Sequence, residues 1–179
     1  MPGISGMRAI AQSAERADAT TRTDRASVSI VVPVLNEADL VGPFLRHLRE
    51  RAPGAELIVA DGGSTDGTRE AAETLCDQIV TSGPGRARQL NEGARATNAE
   101  VLWFLHVDSE VPVDCLNEIR AAIADPQTAG GYFRIRLPKT HAIYRLTDTF
   151  AHYAGILLRI RCGDHGFFCR RGVFFQSGG

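Results

Sequence analysis

Apolar residues in this chain gather into short unbroken runs separated by longer stretches with helical spacing. The first run, SVSIVVPVL, is rich in β-branched residues and predicts a strand ending at Pro33. LIVA (Leu57 to Ala60) predicts a second strand, DQIVTS a short third, and VLWFLHV, from Val101, a fourth. Helical patterning fills the intervals, over about Asp39 to Arg51, Asp66 to Leu75, Gly85 to Ala96 and Pro112 to Ala124. Pro112 suits a first helical turn, where its missing N–H costs nothing. Pro43 is compatible with the first helix only if that helix starts near Asp39. Strands that are apolar along their whole length are buried on both faces. Their alternation with helices predicts an α/β domain: a doubly wound, mostly parallel sheet with helices on both sides.

Such sheets bind ligands at the carboxyl ends of their strands. Asn36-Glu37 follows the first strand and Asp61-Gly62-Gly63-Ser64-Thr65-Asp66-Gly67 the second. Ser82-Gly83-Pro84-Gly85-Arg86 follows the third, and His106-Val107-Asp108 the fourth. One polar end would be a turn; four in succession predict a site. The glycines after Asp61 allow close backbone approach, and the Asp61 carboxylate suits an N–H donor on a base or a sugar hydroxyl. Asp66 has a structural reading as N-cap of the following helix. Neither GxGxxG nor GxxxxGK[ST] occurs, so neither a dinucleotide fingerprint nor a P-loop is present.

Composition narrows the partners. The 179 residues, 44% apolar and 23% charged, suit one folded domain, and a net charge of -1 offers no general attraction to nucleic acid. No apolar run approaches the roughly 20 residues that span a bilayer, and the N-terminus carries no signal-like apolar region, so a cytoplasmic protein is expected. Residues 1–26 are polar, alanine-rich and aperiodic, and read as a disordered leader before a domain over 27–179. Cys76, Cys115, Cys162 and Cys169 form no CxxC pair and are expected as free thiols. Cys162, His165 and Cys169 have ligand-like spacing but lack a fourth zinc ligand.

Taken in order, IVVPVLNE, VADGGSTDGT, GRARQLNEGA and FLHVDSEVP resemble the family 2 glycosyltransferases of GT-A fold. GGYFRIRL and GDHGFFCRRGVFFQSGG are similar to the subgroup called arsenosugar-biosynthesis-like or radical-SAM/selenodomain-associated glycosyltransferases. The resemblance implies metal-assisted, inverting transfer of a sugar from a nucleotide-diphosphate donor, with UDP-glucose or a related hexose donor as the leading expectation. It implies that Pro33, Leu35 and Glu37 border the nucleoside and that Asp61 accepts from the base. Arg86 and Asn91 would lie near base, ribose or diphosphate, and Asp108, last residue of a DxD-like motif, would bind Mn²⁺ or Mg²⁺. An oxygen-liganded cation that keeps sites for water and phosphate needs as little as one protein carboxylate.

Three departures from the family pattern stand out. His106 replaces the first Asp, and either ligates, which favours Mn²⁺, or hydrogen-bonds ribose or a neighbouring strand. Gly62 stands where a second acidic residue is usual, which leaves UDP selectivity open. The general base, commonly the Asp of a Glu-Asp pair after a GGF-type turn, is expected beyond Gly179, so the chain reads as C-terminally truncated; Asp164 is a weak substitute. The stretch from Lys139 to Gly163 has helical spacing at Ile143, Leu146, Phe150 and Leu157, with Arg145, Arg159 and Arg161 interspersed. It packs on the sheet or lies on a membrane to reach a lipid-linked acceptor. The rival functions are a sugar-nucleotidyltransferase and a non-catalytic nucleotide-sugar binder.

Overall fold

The structure, a computed structural model, describes residues 26–133 and 166–179. Four strands run parallel: β1 (Val28–Val34), β2 (Glu56–Asp61), β3 (Gln78–Thr81) and β4 (Val101–Phe104). Between them lie α1 (Ala38–Arg51), α2 (Thr68–Ala72) and α3 (Arg86–Arg95); α4 (Cys115–Ile123) follows β4. β5 (Gly130–Tyr132) and β6 (Phe167–Arg170) then extend the sheet, and α5 (Arg171–Gln176) follows directly. The strand order is β3-β2-β1-β4-β6-β5, with β6 antiparallel to both β4 and β5. The expected mostly parallel α/β sheet is therefore present, extended by an antiparallel edge.

Period-2 alternation divides the core into two layers. Ile30, Val32 and Val34 of β1, Leu57 and Val59 of β2, and Trp103 of β4 face α1 and α4, which contribute Val41, Leu45, Leu48, Ile119 and Ile123. Val31, Ala60, Leu102, Phe104 and Cys169 face the other way, toward Ala94 and Leu90 of α3 and Phe174 and Phe175 of α5. α3 approaches β1 closely at Gly93, where a methyl group would overlap Val31 Cγ1. Burial pushes the Cys169 thiol up to about 11, so it stays protonated and unreactive in the core.

Element boundaries depart from expectation in three places. α4 begins at Cys115, so Pro112 precedes the helix, and Asp114, at φ 62, makes the bend into it. α2 is a short helix whose cap is Gly67 at φ 95, because the glycine takes a left-handed conformation that Asp66 would resist. The ladder of β4 stops at Phe104, short of His106. Pro43 is accommodated inside α1, which starts at Ala38. Asp164, Cys162, His165 and the whole stretch 139–163 lie outside the described residues.

Candidate functional site

The chain steps outward from β1 to β2 to β3, then returns to place β4 on the other side of β1. This reversal opens a crevice at the carboxyl ends of β1 and β4, the position at which open α/β sheets take their ligands. The loops after all four parallel strands lie along that edge. Antiparallel β6 enters from the same edge, since Trp103 pairs with Phe168 and Leu102 with Cys169.

Backbone polar groups that emerge from the sheet need partners, and the first two loops supply them to each other. Asn36 sits at φ 56 and is bonded at both ends: its N–H donates to Ser64 Oγ at 2.9 Å, and its Oδ1 accepts from Thr65 N at 3.0 Å. Glu37 N donates to Thr68 Oγ1 at 2.8 Å, and Ala38 N to Asp66 Oδ2 at 3.1 Å. Asp66 Oδ1 in turn accepts from Thr68 N at 3.0 Å. Asp66 therefore serves the amino ends of α1 and α2 together, a cross-loop role beyond the simple cap expected of it. Asn36→Ala removes the side-chain bond to Thr65 and leaves in the left-handed conformation a residue that tolerates it less well than asparagine; the expected cost is about 2 kcal/mol. Asn36→Gly, which relieves the strain but does not restore the lost bond, should cost less, as read by urea unfolding.

Asp61 closes β2 and is 1% exposed. Its Oδ1 accepts from Ser64 N at 3.0 Å and Ser64 Oγ at 2.6 Å, and Oδ2 lies 3.4 Å from Arg69 Nη1. Arg69 also donates to Thr81 Oγ1 at 2.6 Å and so ties the ends of β2 and β3. Burial alone would raise the Asp61 carboxyl, but the Ser64 bonds and the Arg69 charge outweigh it and hold the group below its usual value. Asp66, through Thr68, and Asp77, where Arg49 and the Leu57 N–H overcome burial, are lowered too. A depressed carboxyl contributes stability that is complete above its unfolded value and lost as pH falls through its folded one. The melting temperature should therefore be level above about pH 5 and fall below about pH 4, and Asp61→Asn should shrink that fall.

After β4, Leu105 N still bonds Val31 O at 3.2 Å, and a tight turn follows. His106 N donates to Ser109 Oγ and Ser109 N to His106 O, each at 3.0 Å. Val107 and Val111 are buried on either side, which leaves His106 half-buried and Asp108 exposed. Across the crevice, the Glu37 carboxyl is pushed up by burial and by the charges of Asp108 and Asp66, against the Leu35 N–H and Arg86, which pull it down. The sign here is opposite to that of the aspartates: this small contribution is present below the ordinary value and lost as pH rises through the raised one.

Leu35, Glu37, Asp61, Arg86 and Asp108 therefore share one edge. Pro33 lies deeper, buried in β1 opposite Ala60. Asn91 sits farther along α3, its side chain against Gly179 and its Oδ1 buried without a partner among the described residues. Asn36, Ser64, Thr68, Arg69 and Gln89 also build the site, although sequence reasoning assigned them no role. Among the described residues no three His, Cys, Asp or Glu side chains form a metal cage. The donor set fits a hard cation held by one or two carboxylates, Asp108 and the neighbouring Glu37, with phosphate and water completing its shell.

The family model described as "Glycosyl transferase family 2" matches residues 29–176. The chain belongs to glycosyl transferase family 2. Among curated proteins, it is 30% identical over 105 residues to "Glycosyltransferase AglJ" of Haloferax volcanii, covering 58% of this chain and 33% of that protein. It is 31% identical over 93 residues to "Glucosyl-3-phosphoglycerate synthase" of Mycolicibacterium smegmatis, covering 46% of this chain and 31% of that one. The chain thus spans about a third of the length of these curated relatives. Glucosyl-3-phosphoglycerate synthase from Mycobacterium tuberculosis, in a crystal structure with Mn²⁺ and UDP-glucose, superposes with a TM-score of 0.62 at 19% identity, over 87% of this chain and 60% of that one. Mannosyl-3-phosphoglycerate synthase from Rubrobacter xylanophilus gives 0.58 at 19% identity, over 86% and 56%. These two likenesses are of fold, and they match the GT-A architecture expected of this glycosyltransferase domain.

Proposed function

We propose that this domain binds a nucleoside-diphosphate sugar, with UDP-glucose or a related hexose donor first in line, and transfers the sugar with inversion to a hydroxyl acceptor. The observation that carries this reading is the meeting of exposed Asp108 with Glu37 and Arg86 at the β1–β4 crevice, beside the latched loops after β1 and β2. Support comes from the structural neighbour of like fold solved with Mn²⁺ and UDP-glucose. Leu35 and Pro33 would form the apolar side of the nucleoside cradle and Asp61 its polar side. Asn91 and Arg86, on α3, would stand toward ribose and diphosphate.

Asp108, with Glu37 as its neighbour, would hold Mn²⁺ or Mg²⁺, and His106 either adds an imidazole ligand or bonds ribose. A divalent cation bound there would neutralise charge on the departing diphosphate. Arg86 adds a fixed positive charge on the same side, at the first turn of α3. The acceptor hydroxyl would belong to a small molecule or to a lipid-linked one. No described helix is long and apolar enough to cross a membrane.

Calorimetric titration with UDP, with and without Mn²⁺, tests the reading. Binding that strengthens with Mn²⁺ is the expected result, and no heat of binding in either condition would sink it. UDP release from UDP-glucose in the presence of candidate acceptors then separates transfer from binding alone.

A further inference from the structure

Gln89 carries a function that nothing above assigns to it. It lies on the sheet-facing side of α3, is 4% exposed, and pushes its amide between the ends of β1 and β2. Nε2 donates to Val34 O at 2.7 Å and to Ala60 O at 3.0 Å. These carbonyls immediately precede Leu35 and Asp61, the two residues proposed to flank the nucleoside. Val34 O also accepts from Gly62 N at 2.9 Å.

Gly62 completes the arrangement. Gly63 and Gly67, its neighbours in the same loop, have φ of 99° and 95°, where a side chain is disfavoured on conformational grounds. Gly62 is not among the positive-φ glycines, so its backbone conformation does not itself call for glycine. What crowds a side chain there is Gln89: a β-carbon at Gly62 would stand 3.0 Å from Nε2 and 3.1 Å from Cδ, so the amide would have to give by a few tenths of an ångström. The far end of a glutamine usually swings aside at little cost. This one is held by two buried hydrogen bonds, and yielding strains them.

We propose that Gln89 is the positioning residue that sets the spacing of the β1 and β2 ends under the nucleoside. Position 62, acidic in the resembled family pattern, is glycine here because the Gln89 amide occupies its side-chain volume. The inference rests on the nucleotide reading above and deepens it: a neutral brace, not a second carboxylate, forms the floor between Leu35 and Asp61.

A double-mutant cycle over Gly62→Ala and Gln89→Ala tests this, with Gln89→Met as a near-isosteric variant that keeps volume and loses both donors. UDP affinity with Mn²⁺ is measured by calorimetry well below each variant's melting temperature, and stability by urea unfolding on the same samples. Gly62→Ala alone should weaken UDP about tenfold, the scale of one buried hydrogen bond unmade, and Gln89→Met by a similar factor. In the Gln89→Ala background, Gly62→Ala should add less than about a twofold loss, since contacting residues couple. Hydrogen exchange at the Gly62 amide should quicken in Gln89→Met, because the carbonyl it bonds is no longer held. Equal losses from Gly62→Ala in both backgrounds would overturn the steric coupling. Wild-type UDP affinity in Gln89→Met would overturn the positioning role. If the wild type binds no UDP, the nucleotide reading fails by itself, and the unfolding cycle with Gly62 exchange still decides whether Gln89 braces the strand ends.

Discussion

Asp108→Ala should abolish the strengthening of UDP binding by Mn²⁺ while leaving the fold intact. The turn that presents Asp108 is closed by His106 and Ser109, through backbone groups and the Ser109 hydroxyl, and is anchored by buried Val107 and Val111. The Asp108 side chain is exposed, so the melting temperature should stay within about a degree of wild type, as for most surface substitutions. Loss of a partner from a charged contact typically costs 2 kcal/mol or more, which is at least about 30-fold in affinity with Mn²⁺ present. Without metal, wild type and variant should bind UDP alike. Calorimetry in the two conditions separates the terms, and an Asp108→Ala protein that retained the full Mn²⁺ effect would remove Asp108 from the metal site. Glu37→Gln should give a smaller loss, because one of the Glu37 carboxyl oxygens is already engaged by the Leu35 N–H at 3.4 Å whereas Asp108 is exposed.

The features readable from the sequence are those that rest on one-dimensional patterns. Runs such as VSIVVPV and LIVA have to be strands buried on both faces, and that determines a parallel sheet, its ligand edge and the polar groups gathered there. Glu37, Asp61, Arg86 and Asp108 follow from that rule together with the family resemblance. The missed features depend on pairings remote in sequence. β5 is a three-residue strand containing Gly130 and Gly131, with little apolar signal, and becomes visible only through its antiparallel partner β6. Gln89 looked like any polar helix residue until α3 brought it beneath two strand ends 55 and 29 residues away. Asn36 had the left-handed tolerance that marks turns, yet its bonds to Ser64 and Thr65 cross 28 and 29 residues. The end of β4 is not legible because Leu105 and Val107 extend its apolar run, while the ladder stops at Phe104 and the His106 N–H turns to Ser109 Oγ.

Gly93→Ala should be among the most destabilising single-methyl substitutions in the domain, and the sign of its effect is informative. In a helix interior, replacing glycine with alanine ordinarily stabilises by about 1 kcal/mol, because alanine loses less backbone entropy on folding. Gly93 lies within α3, two residues from its end, and faces the middle of β1. The added methyl would overlap Val31 Cγ1, and Val31 is fully buried in a strand hydrogen-bonded to β2 on one side and β4 on the other. Neither β1 nor its valine can retreat, so α3 must lift, at a cost of about 3 kcal/mol for overpacking that outweighs the helical gain. Urea unfolding should show a lower midpoint with an unchanged slope. Lifting α3 also draws the Gln89 amide away from Val34 and Ala60, so UDP affinity should fall together with stability. Val31→Ala opens the missing space, and in that background Gly93→Ala should cost at least about 1 kcal/mol less than in the wild type, a coupling of the size found between residues in contact. If Gly93→Ala instead stabilised the protein, α3 would not pack on β1 this closely, and the placement of Gln89 beneath the strand ends would fail with it.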